Sequence, residues 1–347
     1  MSKVVFAKAP LRMALAGGGT DLEPYWSKYG GVVLNATIDQ YAYCKIEPCV
    51  CNHEKCWSFK SVDLGIEERH DFYSTPFMQG EYVDSDLQLL VNTYQYLTAK
   101  TDRHPVKITT YVEAPPGSGL GSSSALVVAL IAAIAEYHKI PLGEYDIADY
   151  AVDIERKICD MPGGKQDQFA AAFGGFNFTE FLQDGRTIVN PLRLNYKTQN
   201  MMELSTVLYY VGKPRKDSRV IENTSKGLVD DEVVLNATHK IKEACIEYKR
   251  SLLTGDMKRI SELMETYWRS KLETNPHVAS PEILDAYEYA LQNGATGAKI
   301  SGAGGGGHMV LFTEFERRHE LITALKEKEG RVVPFKFVKH GVDVWRQ

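Results

Sequence analysis

Pro115-Pro116-Gly117-Ser118-Gly119-Leu120-Gly121-Ser122-Ser123-Ser124 runs without a break into Ala125-Leu126-Val127-Val128-Ala129-Leu130-Ile131. Glycines at alternating positions let the backbone approach a ligand closely and turn its N–H groups inward. The three serines then stand at the start of an apolar helix, where unpaired N–H groups and the positive end of the helix dipole coincide. That combination predicts a cradle for phosphate groups, formed by Pro116, Gly117, Ser118, Gly119, Leu120, Gly121, Ser122, Ser123 and Ser124. It is not the common nucleotide P-loop, because no lysine follows the last glycine. A serine-capped helix is the plainer alternative, but a cap needs one such residue, not three glycines and three serines.

Around this stretch the chain has 347 residues and a mass of 38.9 kDa, long for one domain and suited to two. We place the boundary near residue 180, giving units 1–180 and 181–347. A net charge of −5 argues against a general nucleic-acid binder, which is usually basic. The longest apolar run, Ala125 to Ala135, is too short to span a bilayer. Residues 1–8 read as a first strand and not as a signal peptide, so a cytoplasmic location without membrane partners is expected. Of six cysteines, Cys44, Cys49, Cys51 and Cys56 crowd together with His53. Their spacing lacks the paired C-x2-C knuckles of a structural zinc site, so reduced thiols on a hairpin are expected.

Short strands are predicted at Val4–Phe6, Met13–Ala16, Val32–Ala36 and Tyr41–Ile46, with a further strand at Val106–Tyr111 entering the phosphate loop. The helix from Ser123 to His138 is apolar nearly all round and should be buried. Asp146 is a candidate cap for the next helix, which runs towards Cys159. Met161 to Gln168 then breaks it. Later come strands at Gly175–Phe178 and Val207–Val211, and long helices near Asp231–Leu253 and Met257–Thr274. A helix at Pro281–Leu291, a strand at His308–Phe312, a helix at Phe315–Glu327 and a closing strand near Pro334–Phe337 complete the order. Mixed order of this kind reads as α+β, not as regular βαβ repetition.

Two further glycine motifs flank the phosphate loop. Lys8-Ala9-Pro10-Leu11-Arg12-Met13-Ala14-Leu15-Ala16-Gly17-Gly18-Gly19-Thr20-Asp21 lies near the N-terminus. Lys299-Ile300-Ser301-Gly302-Ala303-Gly304-Gly305-Gly306-Gly307-His308 lies near the C-terminus. The latter also satisfies G-x-G-x-x-G, but a strand follows it where a dinucleotide fingerprint opens a helix. The three motifs, in this order over nearly the whole chain, resemble those of the GHMP kinases (galactokinase, homoserine kinase, mevalonate kinase, phosphomevalonate kinase). The resemblance implies a two-domain α+β fold, with a mixed β/α N-terminal domain, a ferredoxin-like C-terminal domain and the active site between them. It also implies ATP and Mg²⁺, and the third motif would close over the substrate through Gly304 and Gly305.

Phosphoryl transfer relies on positioning and charge neutralisation, with a carboxylate near the attacking hydroxyl. Glu155 and Asp167 flank one helix end and are the candidates. In the family pattern the helix glutamate joins a serine of the phosphate loop on Mg²⁺, which here implies Glu155 and Ser123, with Ser122 and Ser124 left for the phosphates or the cap. Gly163-Gly164-Lys165-Gln166-Asp167 fits the family's Gly-x-x-x-Asp element, which makes Asp167 the implied base and Arg12 its cationic neighbour. Helix capping is the plain alternative for Asp167, and a solvated helix surface for Glu155.

Where galactokinase and mevalonate kinase carry Gly-Glu-His, this chain has Gly17-Gly18-Gly19 before Thr20-Asp21. That departure leaves room beside the acceptor, and Asp21, with Thr20, matches the position that holds sugar hydroxyls. The variant looks like the heptose kinase branch, which phosphorylates the anomeric hydroxyl of D-glycero-D-manno-heptose 7-phosphate. Such an acceptor calls for a second cationic patch, and Lys213 and Arg215 in the basic loop after Val211 supply candidates, a solvated turn being the alternative. Another sugar of the fucose, galactose or aminosugar type, and a non-catalytic sugar sensor on the same fold, remain open at this level. So does the adenine pocket, for which Trp57, Ser58 and Asp63 lie in a plausible region. A homodimer fits the resemblance, without the sequence specifying an oligomeric state.

Overall fold

A computed structural model describes residues 4–49, 56–71, 82–99, 101, 104–212 and 219–347. The first two predicted strands are one, β1 (Val5–Ala16), and the next two are also one, β2 (Gly31–Pro48). The sequence reading split them at residues that interrupt the pairing without ending it. Pro10 has no N–H to give the ladder, and the antiparallel register between the two strands slips between Pro10 and Arg12. Such a bulge bends a strand and re-aims its next side chain. Here the backbone N–H of Arg12 leaves the ladder for the carbonyl of Leu120, 2.9 Å away in the phosphate loop.

The larger sheet has eight strands. β2 is shared along its length: its second half pairs with β5 (Val106–Val112) and its first half with β6 (Phe176–Phe181), which carries β7 (Thr187–Pro191). β3 (Cys56–Ser61) lies parallel to β5 and antiparallel to β4 (Ile66–Asp71). Cys44 and Cys56 are therefore not on one hairpin, as expected from sequence, because β5 inserts between β2 and β3. The expected closing strand is also displaced. Phe337 makes one isolated bridge with Ile38, and the chain closes instead through β12 (Asp343–Arg346), paired with β1.

A smaller antiparallel sheet runs β11 (Arg331–Val333), β8 (Thr206–Gly212), β10 (Gly307–Thr313), β9 (Ala295–Ile300). Its core gathers Val207, Trp268, Ile283, Ile300, Met309 and Leu311. Helices α1 (Glu23–Tyr29), α2 (Gln88–Thr98) and α3 (Ser122–His138) precede α4 (Glu144–Asp153) and α5 (Gln166–Phe173). α6 (Tyr196–Ser205), α7 (Arg219–Asp230), α8 (Glu232–Thr254), α9 (Met257–Thr274), α10 (Pro281–Gln292) and α11 (Arg318–Leu325) follow. α3 is buried from Val127 to Ala135, as its uniform apolarity predicts. Asp146 does not cap α4 from outside. It sits one turn in and its carboxylate accepts the N–H of Gly143 at 2.8 Å, reaching back to the cap. Among the described residues no helix is long and apolar enough to cross a membrane.

The two sheets share a buried core: Leu208, Ile241, Val310 and Phe312 join the apolar residues of β1, β2 and α3. A polar staple crosses the same seam. Lys299 on β9 is fully buried and donates its ammonium to the carbonyl of Ala14 on β1 at 2.6 Å. Burial, together with the charges of Arg12 and Lys271, pulls this lysine down to about 7. In the unfolded chain it would keep its proton to about pH 10.4. The unfolded state thus binds more protons between those values, and stability owed to this group rises with pH across that window. Lys299→Met abolishes that dependence. In urea unfolding at pH 7, 8 and 9 the variant's advantage over the parent should shrink by roughly 1.4 kcal/mol per unit of pH. A constant difference would show that the ammonium is not desolvated.

Candidate active site

The phosphate loop is shaped by glycine. Gly117, Gly119 and Gly121 take φ of 70°, 79° and 72°, a region that side chains avoid. Gly121 is the cap of α3, and no side chain caps the helix. Its first N–H groups and the positive dipole end therefore face the loop's interior, an arrangement suited to an anion. Pro116 and Gly117 are exposed at the mouth, while Ser118 and Leu120 are buried beneath it. None of the serines serves as a cap. Ser122 Oγ leans on the carbonyl of Pro115 at 3.5 Å, and Ser124 Oγ donates to Glu155 at 2.7 Å. Ser123 lines the cavity.

The third motif docks on this loop backbone to backbone. A Cβ on Gly119 would lie 2.3 Å from the Ser301 carbonyl oxygen, and a Cβ on Gly307 2.3 Å from that of Ser118. His308 fastens the contact: its backbone N–H and its Nδ1 both reach the Ser118 carbonyl, at 2.9 and 2.8 Å. A carbonyl only accepts, so Nδ1 carries the proton. Burial draws this histidine down to about 4, which keeps the ring neutral near pH 7. Gly302 and Ala303 line the cavity, whereas Gly304 and Gly305 do not and pack instead against Val278 and Val220.

Arg12 and Asp167 meet across the cavity. Arg12 Nε and Nη2 each donate to Asp167 Oδ1 at 2.7 Å, and Nη1 donates to the Gly119 carbonyl. Asp167 sits in the first turn of α5, which starts at Gln166, so the aspartate is inside the helix and does not cap it. A Cβ on Gly121 would stand 3.2 Å from Asp167 Oδ2, which brings the carboxylate against the phosphate loop.

Glu155 is 1% exposed and lies in a π turn, Ile154–Ile158, where the N–H of Cys159 bonds to the carbonyl of Ile154. Such turns often mark functional sites. Its Oε2 accepts from Ser124 and from the Gln168 amide, and its Oε1 has no partner among the described residues. Burial pushes the carboxyl up, opposed by Arg156 and these hydrogen bonds. The plain reading of Glu155 as a solvated surface glutamate is thus overturned.

Asp21 is 2% exposed, with Oδ1 taking the N–H of Gly19 at 3.0 Å and Oδ2 that of Gln166 at 3.3 Å. Thr20 turns away, its hydroxyl tied to the carbonyls of Gly17 and Val32. Lys213 and Arg215 lie outside the described residues, as do Cys51 and His53. Cys49 and Cys56 Sγ are 3.2 Å apart, and the described residues contain no group of three or more His, Cys, Asp or Glu side chains that could hold a metal ion. Trp57 is wholly buried with Nε1 on the His104 carbonyl, so it is a core residue and no platform for a base.

Sequence reasoning missed two cavity residues. Arg156 donates to the carbonyls of Met161 and Gly164 and buckles the loop between them. The adjacent Gly163-Gly164 was the available signal, since a Cβ on Gly163 would strike the guanidinium at 2.6 Å. Lys271 of α9 also lines the cavity, and no motif marks it.

Family models match the chain twice: that of the GHMP kinases N terminal domain over residues 88–175 and that of the GHMP kinases C terminal over 248–331. D-glycero-alpha-D-manno-heptose 7-phosphate kinase of Campylobacter jejuni is 39% identical over 346 residues, 99% of each chain. Among solved structures, a D-glycero-D-manno-heptose 1-phosphate kinase from Bacteroides thetaiotaomicron superposes with a TM-score of 0.81 at 35% identity, covering 99% of both chains. Lactococcus lactis galactokinase shares the fold, with a TM-score of 0.76 at 17% identity over 99% of this chain and 95% of that one.

Proposed function

The chain belongs to the GHMP kinase family, and from that premise we propose that it transfers the γ-phosphoryl group of ATP to the anomeric hydroxyl of D-glycero-D-manno-heptose 7-phosphate. The observation that carries this reading is the ion pair of Arg12 and Asp167 beside an uncapped helix N-terminus, with Asp21 in the same cavity. Full-length identity to a heptose 7-phosphate kinase supports the choice of acceptor.

ATP's phosphates lie along the loop from Pro116 to Ser124, met by backbone N–H groups and the dipole of α3. Asp167 accepts the acceptor's hydroxyl proton through Oδ2, while Arg12 holds Oδ1 and offsets charge that develops in transfer. Asp21 accepts hydrogen bonds from sugar hydroxyls. The donor set fits a magnesium ion, because Glu155 Oε1 is a buried carboxylate oxygen without a partner and Ser123 faces the same cavity. Glu155 and Ser123 would hold the ion, and when bound it neutralises phosphate charge. Ser124 and Gln168 orient Glu155 for that role. An intact set of Arg12, Asp167, Glu155 and Asp21 speaks against a sugar sensor that has lost catalysis.

A coupled assay of ADP release over a panel of sugars and sugar phosphates should give the highest kcat/KM with the heptose 7-phosphate. Asp167→Asn should still bind ATP but turn over about 10²–10⁴-fold more slowly. Near-normal turnover by a folded variant would remove Asp167 from the reaction.

Glu155→Gln and Ser123→Ala should each raise the magnesium concentration needed for half-maximal rate. Parent-like magnesium dependence in both variants would transfer the ion to other ligands.

The acceptor's own phosphate is assigned to Arg215, then Lys213, in the segment that leads into α7, whose residues Val220, Ile221 and Thr224 line the cavity. Arg215→Ala should cost roughly 10- to 150-fold in kcat/KM for the 7-phosphorylated sugar and far less for the unphosphorylated one. Lysine at 215 should rescue only in part, lacking the planar fork. Equal loss on both sugars would detach this segment from the phosphate.

A further inference from the structure

We infer that Lys271, supplied by the C-terminal half of the chain, donates a charged hydrogen bond to a ring hydroxyl of the acceptor and forms with Asp21 a two-sided clamp on it. The inference rests on the proposal that the acceptor is a sugar.

Three cationic side chains among the described residues line the cavity: Arg12, Arg156 and Lys271. Arg12 is committed to Asp167 and to the Gly119 carbonyl. Arg156 is committed to the carbonyls of Met161 and Gly164. Lys271 is 6% exposed, yet its ammonium has no hydrogen-bond partner among the described residues. The residue is buried while lining the cavity, so its ammonium is available there for a ligand to complete. Burial lowers its affinity for a proton, and only the charge of nearby Asp21 opposes that effect.

The glycine turn of the first motif explains how this lysine reaches the cavity. Tyr267 and Lys271 stand one helical turn apart on the face of α9 that meets Gly18 and Gly19. A Cβ on Gly18 would come 3.1 Å from the Tyr267 hydroxyl, and one on Gly19 3.5 Å from Lys271 Nζ. Where galactokinase carries glutamate and histidine side chains, this chain has empty positions, and a tyrosine and a lysine from α9 fill the space. A side chain at Gly19, which has φ of 106°, would be strained and would crowd the ammonium.

Charge balance selects a hydroxyl over a phosphate. Among the side chains that line the cavity, the carboxylates Asp21, Glu155 and Asp167 are matched one for one by Arg12, Arg156 and Lys271, so the lining itself carries no excess positive charge for a dianion. Lys271 and Arg12 both line the cavity, and both act electrostatically on Lys299. Asp21 can accept a hydrogen bond from a hydroxyl while Lys271 donates one to the same oxygen, a pairing that neither charge makes alone.

The test is steady-state kinetics of Lys271→Met on whichever sugars of the panel the parent phosphorylates, with and without a terminal phosphate. Thermal unfolding is followed in parallel. We expect the acceptor KM to rise about 10- to 150-fold by a similar factor on phosphorylated and unphosphorylated forms, with the KM for ATP unchanged. The melting temperature should stay level or rise, since methionine removes an unpaired buried charge. Asp21→Ala combined with Lys271→Met should cost less than the sum of the two, because both act on one oxygen. An unchanged acceptor KM overturns the inference. So does a loss confined to the phosphorylated sugar, which would make Lys271 a phosphate ligand, or a lowered melting temperature with ATP and acceptor affected alike, which would make it structural. If the parent prefers a sugar other than the heptose, the acceptor assignment fails while the clamp is judged on that sugar. If no sugar is phosphorylated, both fall.

Discussion

Two loops can pack this closely, backbone to backbone, only where one of each facing pair of residues lacks a Cβ, and the site depends on one such meeting. Ser118 and Gly119 of the phosphate loop lie against Ser301 and Gly307 of the third motif at distances that no Cβ would survive. His308 holds the contact with two bonds to one carbonyl, and stays neutral because burial disfavours its charged form. The consequence is positional. The loop proposed to meet ATP belongs to the larger sheet's half of the chain, and the loop packed on it belongs to the smaller sheet's half. Lys299 reinforces the same seam from β9 by bonding to Ala14 on the strand that carries Arg12.

Within that frame the cavity is nearly neutral, with each charge assigned. Asp167 is held by Arg12, Glu155 by Ser124, Gln168 and the more distant Arg156, and Asp21 by two backbone N–H groups. Arg156 is the least expected member, since its hydrogen bonds go to the backbone carbonyls of Met161 and Gly164. It shapes the turn of Gly163 and Gly164, and that turn makes room for Asp21: a Cβ on Gly164 would fall 1.8 Å from the Asp21 carboxylate. Glycine therefore acts twice around one aspartate, at Gly19 before it and at Gly164 across from it. The first contact is local, whereas the second joins segments far apart in sequence, and only the Gly-x-x-x-Asp pattern hinted at it.

Legibility in the sequence followed the range of the interaction. Glycine runs that need positive φ, and an apolar helix that must be buried, are local facts, and they disclosed the phosphate loop, α3 and the α+β class. The family resemblance added Arg12, Asp167 and Glu155, which the structure brings to one cavity. Strand boundaries were misread where Pro10 interrupts a ladder that β2 nevertheless sustains before and after it. The return of Asp343–Arg346 to the first strand was invisible, since nothing local distinguishes an edge strand's partner. Ser124 was read as a phosphate or cap residue because its partner, Glu155, lies 31 residues away across the helix pair. Lys271 could not be read at all: on α9 it looks like any surface lysine, and its burial is a property of the glycine turn it meets.

Arg12 shows why a bulge at a proline matters to chemistry. From one position it gives its backbone N–H to Leu120, Nη1 to Gly119, and Nε with Nη2 to Asp167. Asp167, the proposed base, and the phosphate loop are thereby fixed to the same rigid plane, and a shift in either is felt by the other. A planar fork with donors in fixed directions is the side chain that can do this. A lysine would supply the charge but only a single point of attachment, leaving Asp167 free to rotate against the loop. Positioning within a fraction of an ångström is what phosphoryl transfer demands of a protein. A strand that kept perfect register through Pro10 would leave the N–H of Arg12 in the ladder, and the guanidinium would lose the anchor that aims it.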